Sequence, residues 1–263
     1  MKVLFLGNCQ VNAMRGLSRE MFPNEKSVDF QTITPFWGKF DEGKTRELLA
    51  DADLVVSQAI ADPTTTFNAE DIRASTKADI VFVPYVYIDG IASLELIGSK
   101  GTAIIRGSEQ LLRGQEGRKP INILQDYFAN KIDMECEARV LSSLEKIKQK
   151  EAAHCTLTIS DYLEETWRKQ PTVYGMNHPT QHVVFEMYRR VCDHIGWKFD
   201  PELQKDPIEW GRRALPFGIR VQTPHDVKAL KLEYPGDTHW YGNGNMLLKK
   251  ALVAKEEMAA NNT

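Results

Sequence analysis

Residues 2–10 read KVLFLGNCQ, and they predict a strand that turns directly into a helix. Residues 3–6 form an apolar run of the kind that fills the centre of a parallel sheet. Gly7 and Asn8 end that run, and apolar residues with helical spacing follow. A strand that turns here into a helix places Cys9 at the carboxyl end of the strand. Because ligands bind outside the carboxyl ends of strands in open α/β sheets, Cys9 is a candidate site residue.

Cys9 has two interpretations at this turn. The free amides and the positive dipole end of a helix favour a thiolate, which predicts a lowered pKa and a nucleophile. Free cysteine is also among the most buried residue types, so a small buried hydrophobe is the alternative. The position at the strand–helix turn favours the nucleophile.

The composition is typical of a soluble globular protein with a substantial core. The chain has 263 residues, of which 42% are hydrophobic and 26% are charged. A net charge of −3 gives no electrostatic basis for binding nucleic acid or an anionic membrane. No run approaches the roughly 20 apolar residues of a membrane span. The 4 cysteines show no paired spacing, which predicts reduced thiols, a cytoplasmic location and no metal.

Strands and helices alternate through the amino-terminal part of the chain. After the first strand we predict strands at 28–33, 53–57 and 79–83, separated by helices at 44–50 and 70–74. This alternation with short connections is typical of α/β proteins with a doubly wound parallel sheet between two helical layers. The third and fourth predicted strands deliver Ser57, Gln58 and Tyr85 to the edge that carries Cys9.

The remainder is predicted to be a largely helical elaboration of one α/β domain that spans residues 1–263. Residues 2–98 form its parallel-sheet half, residues 99–170 the helical elaboration, and residues 171–263 carry a histidine-bearing helix and a C-terminal helix. Residues 101–106 are predicted either as a strand or as an extended lead into a helix. The helices expected in the elaboration cover 108–113, 122–131, 134–153 and 162–169.

Residues 174–182 read YGMNHPTQH and form the second informative stretch. Pro179 suits the first position of a helix, with His178 or Asn177 at its cap. A histidine at a helix amino end is kept neutral and basic by the dipole, although a satisfied structural histidine is the alternative. His182 lies one turn further on, but no glutamate lies between the two histidines and no third ligand is evident. No metal site is therefore predicted.

These two stretches resemble the WcbI family of polysaccharide-biosynthesis enzymes. The resemblance rests on GNCQ at residues 7–10 after an amino-terminal strand and on NHPT at residues 177–180 before a late helix. Gln58 and VPYVYIDG at residues 83–90 are supporting matches, while residues 91–93 (Ile-Ala-Ser) depart from the family pattern. The resemblance implies an acetyltransferase of bacterial capsule assembly that binds coenzyme A.

The order of the motifs is also similar to the SGNH group of esterases and acyltransferases. In that group a nucleophilic serine follows the first strand and a histidine lies late in the chain, so Cys9 replaces the serine and His178 supplies the base. Gly175 stands where the third member, an aspartate, would be. The resemblance therefore implies an SGNH-like or flavodoxin-like three-layer fold with a catalytic pair of Cys9 and His178.

Acyl transfer from a thioester requires a nucleophile, a base and donors for the oxyanion. Cys9 can attack the thioester, or His178 can deprotonate a sugar hydroxyl while Cys9 only lines the site. The predicted oxyanion and substrate residues are Asn8, Gln10 (through its backbone amide), Ser57, Gln58, Tyr85 and Asn177. The predicted coenzyme A-binding residues are Gly7, Arg15, Arg106 and Arg113.

The sequence thus predicts a coenzyme A-dependent O-acetyltransferase that uses acetyl-coenzyme A and acts on a sugar of a capsular or extracellular polysaccharide. An esterase or thioesterase with the same cysteine and histidine is one alternative. A non-catalytic nucleotide- or sugar-binding module is the other. The glycine fingerprint of a dinucleotide-binding domain is absent from the first turn, which argues against dinucleotide binding.

Overall fold

The structure is a computed structural model that describes residues 1–21, 29–33, 41–97, 104–198 and 224–234. The predicted C-terminal helix lies outside the described residues. Contacts divide the chain into two compact units. The first contains the described residues of Met1–Tyr87, Leu144–Glu164 and Asn177–Gly218, and the second those of Ile88–Ser143, Glu165–Met176 and Ile219–Thr263. The organisation as one domain stays a prediction.

A parallel four-stranded sheet forms the centre of the first unit. Its strands are β1 (Lys2–Leu6), β2 (Asp29–Ile33), β3 (Leu54–Gln58) and β4 (Asp79–Val83), in the order β2-β1-β3-β4. Leu6 at the end of β1 lies opposite both Ile33 and Ser57. The predicted three-layer α/β class is confirmed, and the carboxyl ends of the strands meet at one edge.

Three helices connect these strands: α1 (Cys9–Met21), α2 (Glu42–Asp51) and α3 (Ala69–Ser75). Asp41 caps α2 by accepting a hydrogen bond from the backbone of Lys44, and Asn68 caps α3 in the same way. The sheet and these helices enclose a core of buried side chains, among them Leu4, Leu6, Leu49, Val55, Phe67, Ile72 and Phe82. The apolar run of β1 is buried on both faces of the sheet, as a central parallel strand requires.

The rest of the described chain is mainly helical. Its helices are α4 (Ser108–Leu112), α5 (Pro120–Phe128), α6 (Cys136–His154), α7 (Ser160–Thr166), α8 (Gln181–His194) and α9 (Pro224–Leu230). Short strands also occur: β5 (Glu95–Ile97), β6 (Ile104–Arg106), β7 (Val173–Gly175) and β8 (His178–Pro179). β5 and β6 pair antiparallel. Residues 104–106 of the segment that was predicted as either a strand or an extended lead therefore form a strand. None of the described helices combines the length and apolarity that a membrane crossing requires.

The start of α8 differs from the prediction. Thr180 is its N-cap and Gln181 its first residue, whereas we expected Pro179 at the first position. The residue before a proline is restricted to extended backbone, so His178 adopts strand geometry with Pro179. Thr180 also has extended backbone and occupies the N-cap position, so the helix starts after the proline.

Candidate active site

Asn8 fixes the turn that follows β1. Its backbone N–H donates to Oε1 of Gln58 at 3.0 Å, and its side-chain Oδ1 accepts from the backbone N–H of Gln10 at 2.9 Å. This is the N-cap arrangement, in which the side chain of the cap satisfies a free amide of the first helical turn. Cys9 is therefore the first residue of α1, directly at the carboxyl edge of the sheet.

Gly7 is required by close packing. A Cβ added at Gly7 would lie 2.7 Å from Cγ2 of Val11 and 2.9 Å from Oε1 of Gln58. Its own N–H donates to the carbonyl oxygen of Ile33 at 3.0 Å, so the backbone cannot move away without losing this bond. The prediction that Gly7 binds the cofactor is untested, and the observed reason for a glycine here is steric.

Gln10 joins three segments of the site. Its side-chain Nε2 donates to the carbonyl oxygens of Val86 and Asn177, each at 2.8 Å, and its Oε1 accepts from the N–H of Val86 at 3.0 Å. The amide thus pairs with the backbone after β4 as a neighbouring strand would. The carbonyl of Asn177 belongs to the peptide unit that leads into His178, so a residue next to Cys9 fixes the backbone next to His178.

Tyr85 and Asn177 lie close to the thiol. Burial raises the pKa of Tyr85, a hydrogen bond with the Asn177 side chain lowers it, and the charge of a Cys9 thiolate raises it further. Electrostatic coupling of this kind requires proximity of Tyr85 and Cys9. Two of the predicted substrate residues therefore gather at the start of α1.

The predicted lowering of the Cys9 pKa is wrong. Cys9 is only 7% exposed, and this burial raises its pKa, although the backbone amides of Cys9 and Gln10 lower it in part. Removing the thiolate from water outweighs the helix end. Burial raises the pKa of Cys136 and Cys155 to about 12 and that of Cys192 to about 11. All four cysteines are free.

His178 is half-buried on β8, two residues before the cap of α8. The dipole argument for a neutral His178 therefore does not hold. His182 occupies the first turn of α8 instead, and burial lowers its pKa. The backbone amides of Cys9 and Gln10 are the groups that counteract the effect of burial on the pKa of the Cys9 thiol. The pairing of Cys9 with His178 stays a prediction.

Most of the predicted oxyanion donors are already engaged. The amide of Gln10 donates to Asn8, and Gln58 accepts from Asn8 through Oε1 while its Nε2 lies 3.5 Å from Oε1 of Gln10. Ser57 is 2% exposed and donates to the carbonyl of Gln58 at 3.1 Å. In the part of the chain that the structure describes, no group accepts from Nδ2 of Asn8, which is half-exposed. Asn8 is thus the donor best able to meet an oxyanion.

The predicted cationic residues differ in their surroundings. Arg15 on α1 is half-buried, and its Nε is buried with no hydrogen-bond partner in the described residues. Arg113 is exposed, with Glu135 at 2.6 Å and Glu109 at 3.7 Å from its guanidinium nitrogens. Arg106 ends β6. Arg113 is therefore already paired with carboxylates, whereas the Nε of Arg15 has no hydrogen-bond partner among the described residues.

A cavity of about 770 Å³ lies in the second unit, lined chiefly by residues 130–138 and by α9. It contains none of the predicted site residues. Within the described ranges no cluster of three histidine, cysteine or acidic side chains is arranged to hold a metal ion. The candidate active site is thus the GNCQ turn with the segments that Gln10 joins.

Comparisons with known proteins agree with this assignment of fold. Residues 108–200 match the model of a family described as polysaccharide biosynthesis enzyme WcbI. The fold is similar to a solved structure of WcbI, with a TM-score of 0.62. That structure is described as a novel polysaccharide biosynthesis enzyme, in its native form without a disulfide bond between coenzyme A and a cysteine. It is 14% identical, and the alignment covers 96% of this chain and 94% of that one. No curated protein matches the sequence. The predicted WcbI-type resemblance is confirmed.

Proposed function

We propose that this WcbI-type chain is an acyltransferase that moves an acetyl group from acetyl-coenzyme A to a hydroxyl of a sugar in a growing polysaccharide. The observation that carries the proposal is the pair of 2.8 Å hydrogen bonds from Nε2 of Gln10 to Val86 and Asn177. They hold the backbone that precedes His178 against the residue that follows Cys9. A thiol and an imidazole in one site supply the groups that thioester exchange needs.

Two observations support coenzyme A as the donor. The structurally similar WcbI is described in terms of coenzyme A and a cysteine, and Cys9 is the cysteine at the ligand-binding edge of this sheet. Arg15 follows on the same helix with its Nε unpaired among the described residues, as a phosphate-binding arginine would be before its ligand arrives. Arg113 already pairs with carboxylates, so Arg15 is the preferred contact.

The first half-reaction forms acetyl-Cys9. Because burial raises the pKa of Cys9, the resting group is a thiol, and His178 removes its proton as Sγ attacks the thioester carbonyl carbon. The new S–C bond displaces the carbonyl π electrons onto oxygen, where Nδ2 of Asn8 donates a hydrogen bond. Collapse breaks the bond to the sulfur of coenzyme A, and His178 returns the proton to that leaving thiolate.

The second half-reaction transfers the acetyl group. His178 accepts the proton of a sugar hydroxyl as its oxygen attacks acetyl-Cys9, and the proton returns to Sγ when the C–S bond breaks. The sugar ester and the free thiol result. Direct attack of the sugar hydroxyl on the donor, with Cys9 only lining the site, is the alternative route, and attack by water gives a hydrolase.

Intact-mass spectrometry of the chain mixed with acetyl-coenzyme A tests this function. We expect one added acetyl group on the wild-type chain and none on Cys9→Ala, while Cys155→Ala behaves as wild type. Direct transfer predicts acetylated sugar without an acetylated chain. Release of coenzyme A without any acceptor indicates the hydrolase. If the chain is not acetylated and no coenzyme A is released, with or without sugar, the result contradicts the proposed function.

A further inference from the structure

The cavity of about 770 Å³ in the second unit has no part in the proposed acetyl transfer. Part of its lining is the segment 130–136, which connects α5 to α6, and the rest comes from α6 itself and from α9. The described residues that line it all belong to the second unit. Its volume lies within the range of about 300–1,000 Å³ that small-molecule sites occupy. The cavity is therefore large enough for a ligand of its own.

Two buried polar atoms of the lining residues have no hydrogen-bond partner among the described residues: Oδ1 of Asn130 and Nδ1 of His225. The side chain of His225 is only 2% exposed, and the nearest carboxylate oxygen of Asp226 lies 3.7 Å from Nδ1, beyond hydrogen-bond range. The imidazole stacks on Tyr127 at 4.4 Å between centroids, which fixes the plane of the ring. Because buried polar atoms are normally paired, these two atoms indicate a partner that enters from outside the chain.

The backbone explains only part of the choice of asparagine at position 130. Asn130 has a φ of 53° and follows the end of α5, where a left-handed residue is common and is usually glycine or asparagine. Glycine adopts this conformation without a side chain. The turn therefore does not need the carboxamide, and Oδ1 remains to accept a hydrogen bond in the cavity.

The charges around the cavity are nearly balanced. Three charged lining residues form ion pairs with residues outside the lining, namely Glu135 with Arg113, Lys131 with Asp126, and Glu137 with Arg168. The remaining charged lining residues, Asp133 and Lys228, have opposite signs. An anion or a cation would find no surplus of the opposite charge among these residues. The lining therefore favours a neutral ligand that forms hydrogen bonds.

We propose that this cavity binds a neutral saccharide of the polysaccharide acceptor, an inference that rests on the proposed function. A hydroxyl both donates and accepts, so ring hydroxyls can pair with Oδ1 of Asn130, which only accepts, and with Nδ1 of His225 whichever ring nitrogen carries the proton. Met134 and Leu141 also line the cavity, and Leu141 is 49% exposed. The C–H face of a pyranose ring covers apolar surface of this kind, and its burial adds to the hydrogen bonds.

Saturation-transfer difference NMR with D-glucose, D-galactose and D-mannose, each titrated without acetyl-coenzyme A, tests this site. The wild-type chain is expected to bind at least one of these sugars, and to bind the corresponding uronate more weakly because the lining offers no surplus positive charge. Asn130→Gly keeps the left-handed turn and removes Oδ1. It is expected to weaken binding of that sugar by about threefold to tenfold, the loss of one hydrogen bond, with a melting temperature close to that of the wild type.

Ala138→Gln tests the cavity by volume, because it places a longer side chain at an exposed lining position of α6. It is expected to weaken binding of the same sugar at least as much as Asn130→Gly does. Ala153→Gln is the matched control, since Ala153 is an exposed alanine of α6 that is not among the lining residues, and it should bind as the wild type does. Glutamine is a good helix former, so both variants should fold.

The outcomes separate this inference from the proposed function. If the wild type binds a sugar, and Asn130→Gly and Ala138→Gln bind it equally well, the sugar lies elsewhere and the inference is wrong, while the proposed function stands. If the wild type binds none of the three sugars, water satisfies the two buried atoms and the inference is overturned. Acetylation of Cys9 by acetyl-coenzyme A alone needs no saccharide, so intact-mass spectrometry decides the proposed function independently.

Discussion

Nε2 of Gln10 lies 2.8 Å from the carbonyl oxygen of Asn177, a residue 167 positions away in the chain. The same nitrogen donates to Val86, and Oε1 of Gln10 accepts from the N–H of Val86. Gln10 is fully buried, so each of these bonds replaces a bond to water that the fold has removed. One side chain thus connects the turn with Cys9, the loop with Tyr85 and the segment with His178.

Gln10→Ala is expected to reduce the free energy of unfolding by about 3 kcal/mol, because it leaves buried backbone groups of Val86 and Asn177 without partners. Urea denaturation measures this loss. Gln149→Ala is the matched control, since Gln149 is exposed on α6 and bonds only to Glu145 within the described residues. Its effect should stay within about 0.5 kcal/mol. Equal losses for the two variants would show that Gln10 does not hold the site together.

Gly7→Ala and Gly16→Ala place the same methyl group on neighbouring elements with opposite expected effects. At Gly7 the added carbon meets Val11 and Gln58 at less than 3 Å, which should destabilise the fold by about 1–3 kcal/mol. At Gly16 it meets nothing described, and helix propensity should stabilise the fold by up to about 1 kcal/mol. Thermal unfolding without ligand compares them, and a stable Gly7→Ala variant would contradict the packing of the turn.

Asn8→Asp separates the two roles assigned to Asn8. Aspartate caps a helix as well as asparagine does, so the free energy of unfolding should change by less than about 0.5 kcal/mol. Aspartate has no Nδ2 to donate, so turnover should fall by about 10²–10³-fold, as for the loss of an oxyanion donor. Steady-state acetyl transfer measures this. Full turnover in a stable Asn8→Asp variant would remove Asn8 from the mechanism.

The rate of alkylation of Cys9 should rise with pH through pH 7, 8 and 9, because burial raises its pKa and only the thiolate reacts. Cys136, Cys155 and Cys192 should react more slowly at each pH, since their pKa values are about 11–12. Iodoacetamide labelling followed by peptide mass mapping gives all four rates. A rate at Cys9 that is constant from pH 6 to 8 would indicate a preformed thiolate and contradict the buried thiol.

The parallel sheet could be predicted from the sequence because its signals are local. β4 begins and ends at the predicted residues, and β1 turns into α1 where glycine and asparagine end the apolar run. The prediction of where α8 starts was wrong because two local rules competed. Proline suits a helix start, yet it also holds His178 in an extended conformation, and Thr180 occupies the N-cap position after it.

The electrostatics of the site could not be predicted in the same way. Whether a helix end lowers the pKa of Cys9 depends on how much tertiary structure covers the thiol, and that is not a property of residues 7–10. The role of Gln10 depends on contacts with Val86 and Asn177, which are distant in sequence. The order of the GNCQ and NHPT motifs suggested a shared site, but not that a glutamine side chain would join them.

Rapid-quench intact-mass spectrometry of acetyl-Cys9 formation tests whether His178 is the base for Cys9. His178→Ala should slow acetylation by about 10²–10⁴-fold, the usual cost of losing a general base. In His182→Ala, which alters the other histidine near the start of α8, Cys9 should be acetylated at close to the wild-type rate. Circular dichroism should show that both variants are folded. Acetylation of Cys9 in His178→Ala at the wild-type rate would show that His178 is not the base for Cys9.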